Sequence, residues 1–397
     1  MQQQPLTGVT VLDFGQVYNG PYCGFLLAQA GARVIKVESL IGETLRARGQ
    51  KTPAAYAFAL LNSNKESFTL NIKSSDGQAL LKELVKHVDV VFENFAPGTM
   101  DKYGIGADVL RGIKPELIYA SSTGYGVSGG PYREFLGMDI TLQAMTGVMS
   151  ITGEDGGPPL KTAAAFADFI AGTHMYAAIV SALFARTQSG EGATVDISMQ
   201  DCVFPTLATA LGSYYVAGEQ PKRAGNRHPG RALAPYNVYP ARDGHIAIIC
   251  IREGHWRKLC QAMGREELME DPRFVDFAAR TANMDEVDAE VSVWTQAHSR
   301  ADLFAITQQY GVICAPVQAL ADVIDDPHLL ARGSMKIRAN EDFGQIAQLQ
   351  TPIRYRDITP PELTDPPELG AHTDRVLKEM LDLSDEDIAK LRRAEAV

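Results

Sequence analysis

The feature that most constrains the fold is an alternation of strand and helix patterns that begins close to the N-terminus. Residues 9–14 (VTVLDF) are mostly apolar, as in a buried strand, a helix pattern follows as far as Gly31, and residues 33–38 (RVIKVE) form the next strand. A strand, a helix and a second strand in this order imply a right-handed crossover and a parallel sheet. At the start of the helix, Asn19 suits a cap and Pro21 suits the first turn.

The same alternation continues along the first half of the chain. The further predicted segments are helix 74–87, strand 89–93, helix 101–113, strand 117–121 and strand 193–198. Since the chain has 397 residues, two domains, or one large domain with an insertion, are expected. We therefore predict an α/β fold with a parallel sheet, in which a large domain covers 1–205 and is completed by 335–397 returning from the C-terminus.

The pattern changes after residue 218, where Gly and Pro turn signals and basic side chains share one loop. A hairpin about Asp243-Gly244 follows this loop. The helices predicted after the hairpin are 254–263, 284–297 and 300–310, and a helix pair is predicted at 372–396. We expect a smaller α+β domain over about 225–325.

The charge and cysteine content narrow the classes of function. A net charge of −11 argues against nucleic acid as a partner, although a local basic patch can still bind a small anion. The five cysteines are scattered and no two histidines have a metal-ligand spacing, so no disulfide framework and no metal site are predicted. The N-terminus lacks a signal pattern and the apolar runs are interrupted, which predicts a cytoplasmic protein without a membrane span.

A small and apolar segment, 162–186, contains a single carboxylate, Asp168. The residues that recur after it at helical spacing are Ile170, His174, Ala177, Ala178, Ser181 and Ala185. This pattern predicts a buried helix with Asp168 at its N-terminal edge, and Gly172 marks a place where another backbone can approach closely. Asp168 either caps its own helix or is a desolvated carboxylate that acts as a nucleophile or base.

The glycines of the first strand-helix unit suggest a phosphate-binding turn. Gly15, Gly20 and Gly24 precede or enter the helix, and Glu38 ends the second strand. The spacing is G-x4-G-x3-G, whereas dinucleotide-binding proteins have G-x-G-x-x-G, so an NAD site is disfavoured. The helix N-terminus still suits a ligand that carries phosphate or adenine.

A series of motifs lies in one order along nearly the whole chain. They are 11–38 (VLDFGQVYNGPYCGFLLAQAGARVIKVE), 61–77 (LNSNKESFTLNIKSSDG), 90–105 (VVFENFAPGTMDKYGI), 120–126 (ASSTGYG), 138–147 (MDITLQAMTG), the Asp168 helix, 189–201 (SGEGATVDISMQD), 225–236 (GNRHPGRALAPY) and 369–377 (LGAHTDRVL). Together they resemble the class III coenzyme A transferases, which include formyl-CoA, carnitine and dicarboxylate CoA transferases and are related to the α-methylacyl-CoA racemases. The resemblance implies a Rossmann-like large domain, a small domain on two linkers and an interlocked homodimer.

The resemblance also implies roles for individual residues. Asp168 falls on the catalytic aspartate and Asp139 on an acidic helper. The implied CoA contacts are Gln16, Val17, Leu70, Lys73, Asn94, Phe95, Lys102 and Tyr103. The implied loop over the active site is Gly225, Asn226, Arg227, His228 and Gly230. Coenzyme A thioesters would be substrates and no cofactor would be required. Asp168 would form a mixed anhydride with the acyl group and then a thioester with coenzyme A.

Departures from the family pattern bear on the substrate. Formyl-CoA members have Gln where this chain has Tyr18 and a basic residue where it has Ser39, so formate and oxalate are not expected. A racemase would need a second base, and in that related subfamily a His stands where this chain has Met138, which cannot carry a proton. A non-catalytic CoA-binding protein is the third interpretation.

Two arginines after the second strand could bind the second carboxylate of a dicarboxylic acid substrate. Arg46 and Arg48 lie in GETLRARG, and either guanidinium could bind a dicarboxylic acid through a bidentate fork. Tyr18 would reduce the volume of the same pocket. This interpretation predicts a small polar or dicarboxylic acid as the acceptor, and the alternative is that both arginines lie at the surface or hold the CoA phosphates.

Overall fold

The computed structural model describes residues 3–46 and 51–397, which form two compact units. The first unit contains Met1–Met145, Ala163–Pro205 and Asp326–Val397, and the second contains Thr146–Thr162 and Thr206–Asp325. The sequence prediction placed residues 146–162 in the large domain, whereas their contacts group them with the second unit.

Strands and helices alternate through the first unit, as the sequence pattern indicates. In chain order, the strands of the two units are β1 Thr10–Phe14, β2 Arg33–Glu38, β3 Glu66–Thr69, β4 Val90–Glu93, β5 Ile118–Thr123, β6 Ala193–Ser198, β7 Tyr236–Ala241, β8 Gly244–Ile249, β9 Ile313–Pro316, β10 Met335–Asn340 and β11 Gly344–Leu349. The helices are α1 Asn19–Gln29, α2 Pro53–Leu61, α3 Ser75–Val85, α4 Thr99–Lys102, α5 Ala107–Ile113, α6 Asp139–Met145, α7 Val148–Ile151, α8 Phe166–Ser189, α9 Met199–Val203, α10 Ala208–Ala217, α11 Glu253–Met263, α12 Phe277–Ala282, α13 Met284–Gln296, α14 Arg300–Tyr310, α15 Leu320–Ile324, α16 Pro327–Ala331, α17 Thr373–Leu381 and α18 Asp385–Arg393.

The sheet of the first unit has six strands in the order β3-β2-β1-β4-β5-β6. Every neighbouring pair is parallel, so the predicted α/β class is confirmed. The direction of winding reverses between β1 and β4, and open α/β sheets bind ligands outside the carboxyl ends of the strands at such a point. The loops after β1 and β4 therefore frame the expected ligand site.

Helices cover both faces of this sheet. On one face α3, α5 and the C-terminal pair α17 and α18 pack around Phe68 and Leu81. On the other face α1 and α8 pack around Leu27 and Ile179. A parallel sheet buried on both faces favours strands with near-continuous apolar runs, which is the pattern of Val90, Val91 and Phe92 in β4.

The second unit has its own core. Its antiparallel sheet has the order β7-β8-β9, and helices α11, α13 and α14 pack around Trp256 and Phe274. In the hairpin, Ala241 pairs with Gly244, so the connecting loop is Arg242-Asp243. The strand β9, which completes the sheet, has no alternation in its sequence and was not predicted.

Several sequence predictions need correction. Residues 101–113 form two helices, α4 and α5, because the chain turns at Gly104, whose φ is 63°, between them. Asn19 is the first residue of α1 and not its cap, since Tyr18 occupies the cap position without a side-chain hydrogen bond. The helix α2, the strand β3 and the hairpin β10–β11 were not predicted.

The helix α8 exposes the face that was expected to be buried. Its buried residues are Ala167, Asp168, Ala171, Gly172, Met175, Ile179 and Leu183. On the predicted stripe, His174, Ala177, Ser181 and Ala185 are exposed. Small residues occur on both faces, so their recurrence at helical spacing did not identify the buried face, which carries the larger apolar residues Met175, Ile179 and Leu183. Among the described helices, α8 has the length and apolar composition of a membrane span, criteria that a helix packed on a sheet also meets.

Candidate active site

The loop after β1 is fastened to the loop after β4 by reciprocal hydrogen bonds. The backbone N–H of Gln16 donates to Oδ1 of Asn94 over 2.7 Å, and Nδ2 of Asn94 donates to the carbonyl oxygen of Gln16 over 3.1 Å. Gly20 lets these loops close, because a Cβ atom there would lie 2.4 Å from the Cα atom of Gly15 and 2.9 Å from Oδ1 of Asn94. The glycines of the first unit thus serve close packing at the sheet crevice.

The next residue of this loop, Val17, has a strained backbone. Its φ is 62°, a conformation that β-branched residues rarely adopt. Its N–H donates to Oε2 of the buried Glu43 over 3.2 Å, which helps to hold it there. Strain of this kind persists only where the surroundings impose it, and it is often found at ligand sites.

Buried charges below the loop fix its conformation. Asp13 and Lys65 form an ion pair of 2.7 Å in which both side chains are fully buried. Oδ1 of Asp13 also accepts from the N–H of Gly15, and the ammonium of Lys36 donates to the Gly15 carbonyl oxygen. Burial lowers the pKa of Lys65, and the charge of Asp13 opposes that shift. The N–H and the carbonyl oxygen of Gly15 are thus both held by buried charges, which fixes the start of the loop.

Asp168 lies in the first turn of α8 and is 9% exposed. The cap position belongs to Ala165, which makes no side-chain cap bond, so Asp168 does not cap its helix and that alternative is wrong. Among the described residues the Asp168 side chain has no hydrogen-bond partner. Burial, and then the charge of Asp139, raise the pKa of Asp168 to about 7. A desolvated carboxylate without partners is suited to nucleophilic attack.

Asp139 is the residue that holds the start of α8. Its Oδ1 accepts from the backbone N–H of Ala167 over 2.9 Å, and its Oδ2 accepts from Nε2 of Gln143 over 2.7 Å. An orphan N–H of the first turn is thereby satisfied by a carboxylate from α6. Asp139 and Asp168 are close enough for the charge of one to raise the pKa of the other.

A cavity of about 390 Å³ opens in front of Asp168. The predicted residues Gln16, Val17, Asn94 and Phe95 line it together with Asp168. Its other lining residues are Asn19, Thr44, Ala96, Pro97, Ser122, Thr123, Gly124, Leu136, Gly137, Met138 and Met199. We name it the Asp168 cavity. Among the described residues that line it, none is Lys, Arg or His.

A second cavity, of about 400 Å³, adjoins the first, since Gln16, Thr44 and Phe95 line both. Three more of the predicted CoA contacts line it: Leu70, Lys73 and Tyr103. We name it the Lys73 cavity. Lys73 is exposed, while Leu70 is buried. The two adjoining cavities place an exposed ammonium and an aromatic ring in one and the buried Asp168 carboxylate in the other.

Two predicted residues lie beside these cavities without lining them. The ammonium of the exposed Lys102 lies 5.7 Å from the ring centroid of Tyr103. Tyr18 stacks on Phe169, the residue after Asp168, with 6.1 Å between ring centroids. Tyr18 thus supports the helix start that carries Asp168.

The structure argues against Arg46 as the residue that binds a carboxylate of the substrate. Its Nε and Nη2 donate to the two oxygens of the buried Glu38 over 2.8 and 2.9 Å. The guanidinium also lies 4.2 Å from the ring centroid of Phe58. The fork is therefore occupied within the protein, because leaving Glu38 buried and unpaired would be costly. Arg48 lies outside the described residues.

The predicted active-site loop belongs to the second unit. Arg227 pairs with Asp285 over 2.7 Å and with Asp288 over 2.6 Å. His228 accepts at Nδ1 from the N–H of Gly230, and burial lowers its pKa. Gly225 has a φ of 58° and Asn226 is exposed. That this loop covers the active site stays a prediction.

The sequence interpretation did not assign Asn19, Ser122 and Thr123 to the site, although these polar residues line the Asp168 cavity. Asn19, taken for a helix cap, donates from Nδ2 to Oγ of Ser122 over 2.8 Å. Ser122 and Thr123 end the strand β5, and both are buried. The run of hydroxyls at the carboxyl end of a predicted parallel strand was the signal for this site.

The arrangement suits acyl transfer better than proton exchange at carbon. Racemisation needs two bases on opposite sides of one carbon atom. Met138, at the position where the related racemases carry a histidine, lines the cavity, and Asp168 is its only titratable side chain among the described lining residues.

Comparison with known proteins places the chain among acyl-CoA enzymes. The model of CoA-transferase family III matches residues 6–373. The chain is 36% identical to succinate–glutarate CoA-transferase of Agrobacterium fabrum, covering 96% of each chain. It is 34% identical to succinyl-CoA–D-citramalate CoA-transferase of Chloroflexus aurantiacus, covering 98% of this chain and 97% of that one. The crystal structure of a CAIB/BAIF family protein from Brucella suis has a TM-score of 0.83 and 36% identity, covering 96% of this chain and 100% of that one.

Proposed function

The chain belongs to CoA-transferase family III, and on that premise we propose that it moves coenzyme A from an acyl-CoA donor to a small dicarboxylic acid through covalent intermediates on Asp168. The observation that carries this proposal is the position of a buried Asp168 carboxylate, without hydrogen-bond partners among the described residues, at a cavity framed by the β1 and β4 loops. The names of the Agrobacterium and Chloroflexus relatives support dicarboxylic acids as acyl groups.

The reaction begins when a carboxylate oxygen of Asp168 attacks the thioester carbonyl carbon. The carbonyl electrons move to oxygen, the oxyanion collapses, and the C–S bond breaks with its electron pair on sulfur. This gives an aspartyl anhydride and the CoA thiolate. The thiolate then attacks the aspartyl carbonyl carbon and expels the first acid as carboxylate, leaving Asp168 as a CoA thioester. The acceptor carboxylate runs both steps in reverse, so no net proton or cofactor is required.

The two cavities have different roles in this reaction. The Lys73 cavity offers an ammonium, the Tyr103 ring and apolar side chains, which suit a phosphate-bearing and aromatic ligand. The Asp168 cavity receives the thioester. Because Asp168 is a weak nucleophile, desolvation and positioning supply most of the acceleration. The pKa of about 7 is a compromise between nucleophilicity and ionisation near neutral pH.

The experiment that tests this function follows coenzyme A directly. The protein is incubated with succinyl-CoA or acetyl-CoA and a panel of mono- and dicarboxylic acids, and new thioesters are identified by mass. Hydroxylamine or borohydride added during turnover is expected to modify the peptide that carries Asp168. Hydrolysis without transfer, or labelling elsewhere with transfer intact, would contradict the proposal.

We further propose that the enzyme is a cytoplasmic homodimer. The outward face of α8 presents Thr173, His174, Ala177, Ser181 and Phe184 to solvent, and Phe184 is 66% exposed. A face this rich in small and apolar residues is suited to a second copy of the chain. Sedimentation at nanomolar concentration is expected to give a dimer, and a stable folded monomer there would contradict this.

A further inference from the structure

Two buried polar atoms at the Asp168 cavity have no hydrogen-bond partner among the described residues. They are Oδ1 of Asn19 and Oγ1 of Thr123. Asn19 is 1% exposed and Thr123 is 5% exposed, and both line the cavity in front of Asp168. Buried polar groups in native proteins are nearly always paired, so orphans at a ligand cavity indicate groups that a ligand satisfies.

Asn19 is held against the helix that carries Asp168. A Cβ atom at Gly172 would lie 2.6 Å from the carbonyl oxygen of Asn19, so the two backbones touch there. Gly172 is one helical turn from Asp168 and on the same face of α8. The Asn19 carboxamide is anchored at its other end by Oγ of Ser122, 2.8 Å from Nδ2.

The orientation of this carboxamide decides whether an acceptor or a donor is left without a partner. The oxygen and nitrogen ends of an Asn side chain have nearly the same shape, and the Ser122 hydroxyl both donates and accepts. If Nδ2 binds Ser122, the acceptor Oδ1 is left over. If the carboxamide is turned so that Oδ1 accepts from Ser122 instead, the Nδ2 donors take the unpartnered position at this cavity-lining residue.

The chemistry at Asp168 calls for donors. Carboxylates, thioester carbonyls and tetrahedral oxyanions all accept hydrogen bonds and donate none. Among the described residues that line the cavity none is cationic, so the donors that these residues can offer to the developing charge are neutral groups. The Thr123 hydroxyl, also unpartnered, is a second neutral donor in the same cavity.

On the basis of the proposed function, we infer that Asn19 is a catalytic residue whose carboxamide, with Oδ1 bound to the Ser122 hydroxyl, donates from Nδ2 to the oxyanion formed when Asp168 attacks the thioester. In that step the new bond joins an Asp168 oxygen to the acyl carbon, and the carbonyl electron pair moves to the oxygen that Asn19 binds. The bond to sulfur then breaks and the thiolate leaves with its electron pair. Thr123 donates to the same oxygen, and Ser122 is the positioning residue that fixes the carboxamide.

Asn19→Asp and Asn19→Ala separate donation from the other roles of this side chain. Asp has the same shape but only acceptors when ionised, so it is expected to lower kcat/KM by more than Ala does, and Ala by about a hundredfold. The acyl-CoA KM is expected to change little, because the bond forms in the transition state. Retention of activity by Asn19→Asp alone would show an acceptor role and overturn the inference, as would near-normal kcat in both variants.

Ser122→Ala and Thr123→Val keep the inference testable if the Asn19 variants do not fold. Each removes a hydroxyl with little change of shape and is expected to lower kcat with an unchanged KM. Unchanged kcat in both would overturn the inference. Gln29→Glu is the matched control for burying a new carboxylate, since Gln29 is buried at the end of α1 and pairs with Gln350 outside the cavity. If the wild-type protein transfers no coenzyme A to any acid, the proposed function fails before any variant is compared.

Discussion

Oδ1 of Asp139 accepts a hydrogen bond of 2.9 Å from the backbone N–H of Ala167. A carboxylate from one helix therefore completes the first turn of another, directly before Asp168. The same negative charge adds to burial in raising the pKa of Asp168 to about 7. Asp139 thus has two effects on the nucleophile: it holds the helix start that positions Asp168, and its charge raises the pKa of Asp168.

The Asp139→Asn variant is expected to move the acid limb of the pH profile to lower pH. Attack requires the Asp168 carboxylate, so kcat/KM of the wild type rises as pH increases through an apparent pKa near 7. Removing the Asp139 charge lowers that pKa, while Oδ1 of Asn can still accept from Ala167. The measurement is kcat/KM against pH. Asp76→Asn, an exposed carboxylate in the first turn of α3, is the control and should leave the limb in place. If the acid limb does not move in Asp139→Asn, the charge of Asp139 does not affect the pKa of Asp168, and the prediction is wrong.

Lys73→Ala is expected to raise the KM for the CoA ester with little change in kcat. Lys73 lines the cavity far from the reacting carbonyl, so it binds substrate and transition state alike. Lys102→Ala is expected to have a smaller effect in the same direction, because Lys102 lies beside Tyr103 but not in the cavity lining. Steady-state kinetics at two salt concentrations check both, since a charge contact to phosphate weakens with salt. A fall in kcat at unchanged KM would contradict the assignment.

The sheet, its helices and the residues around the cavities could be predicted because each has a local signal. Continuous apolar runs such as residues 90–92 identify buried parallel strands, and the loops after β1 and β4 carry motifs of their own. The buried face of α8 was predicted wrongly because small residues occur on both faces, although the larger apolar residues Met175, Ile179 and Leu183 lie on the buried one. The role of Arg46 was missed because its pairing with Glu38 depends on where the chain folds back after β2.

Gly172→Ala is expected to destabilise the protein and lower kcat. Its Cβ would lie 2.6 Å from the carbonyl oxygen of Asn19, so α1 and α8 must move apart. Overpacking of this kind costs about 1–3 kcal/mol. Gly212→Ala in α10 is the matched control, because nothing lies within 4 Å of its added Cβ and Ala favours a helix by about 1 kcal/mol. Thermal unfolding compares the two. Equal stability gains in both variants would mean that the contact at Gly172 is loose.

Arg46→Ala is expected to lower stability without changing the preference between diacids and monoacids. Its removal leaves the buried Glu38 without its cationic partner, although Ser67 still donates to it, and loss of a buried pair costs up to about 3–5 kcal/mol. Urea unfolding measures the loss, and relative kcat/KM for succinate and butyrate measures the preference. The double variant Arg46→Ala with Glu38→Gln should recover part of the stability. A selective loss of succinate transfer in a well-folded Arg46→Ala protein would restore the fork interpretation.

Asp168→Asn is expected to abolish transfer and to stabilise the folded protein at alkaline pH. The unfolded carboxyl has its ordinary pKa near 3.8, while the folded one is raised to about 7. Between these values the folded state binds the extra proton, so wild-type stability falls as pH rises across this window, and the loss is complete above the folded pKa. The amide has no such penalty. The stability difference between variant and wild type should therefore be small near the lower pKa and grow to a few kcal/mol, at most about 4, above the upper one.

Chemical unfolding of both proteins across this pH range tests the expectation. Asp168 makes no hydrogen bond among the described residues, so exchanging its carboxylate for an amide breaks none in the folded state. Asp139→Asn should flatten the wild-type curve, because it removes the second cause of the raised pKa. If Asp168→Asn is instead less stable than the wild type above the upper pKa, the ionised carboxylate stabilises the start of α8 through its charge. In that case ionisation of Asp168 does not lower the stability of the folded protein, and the expectation is wrong.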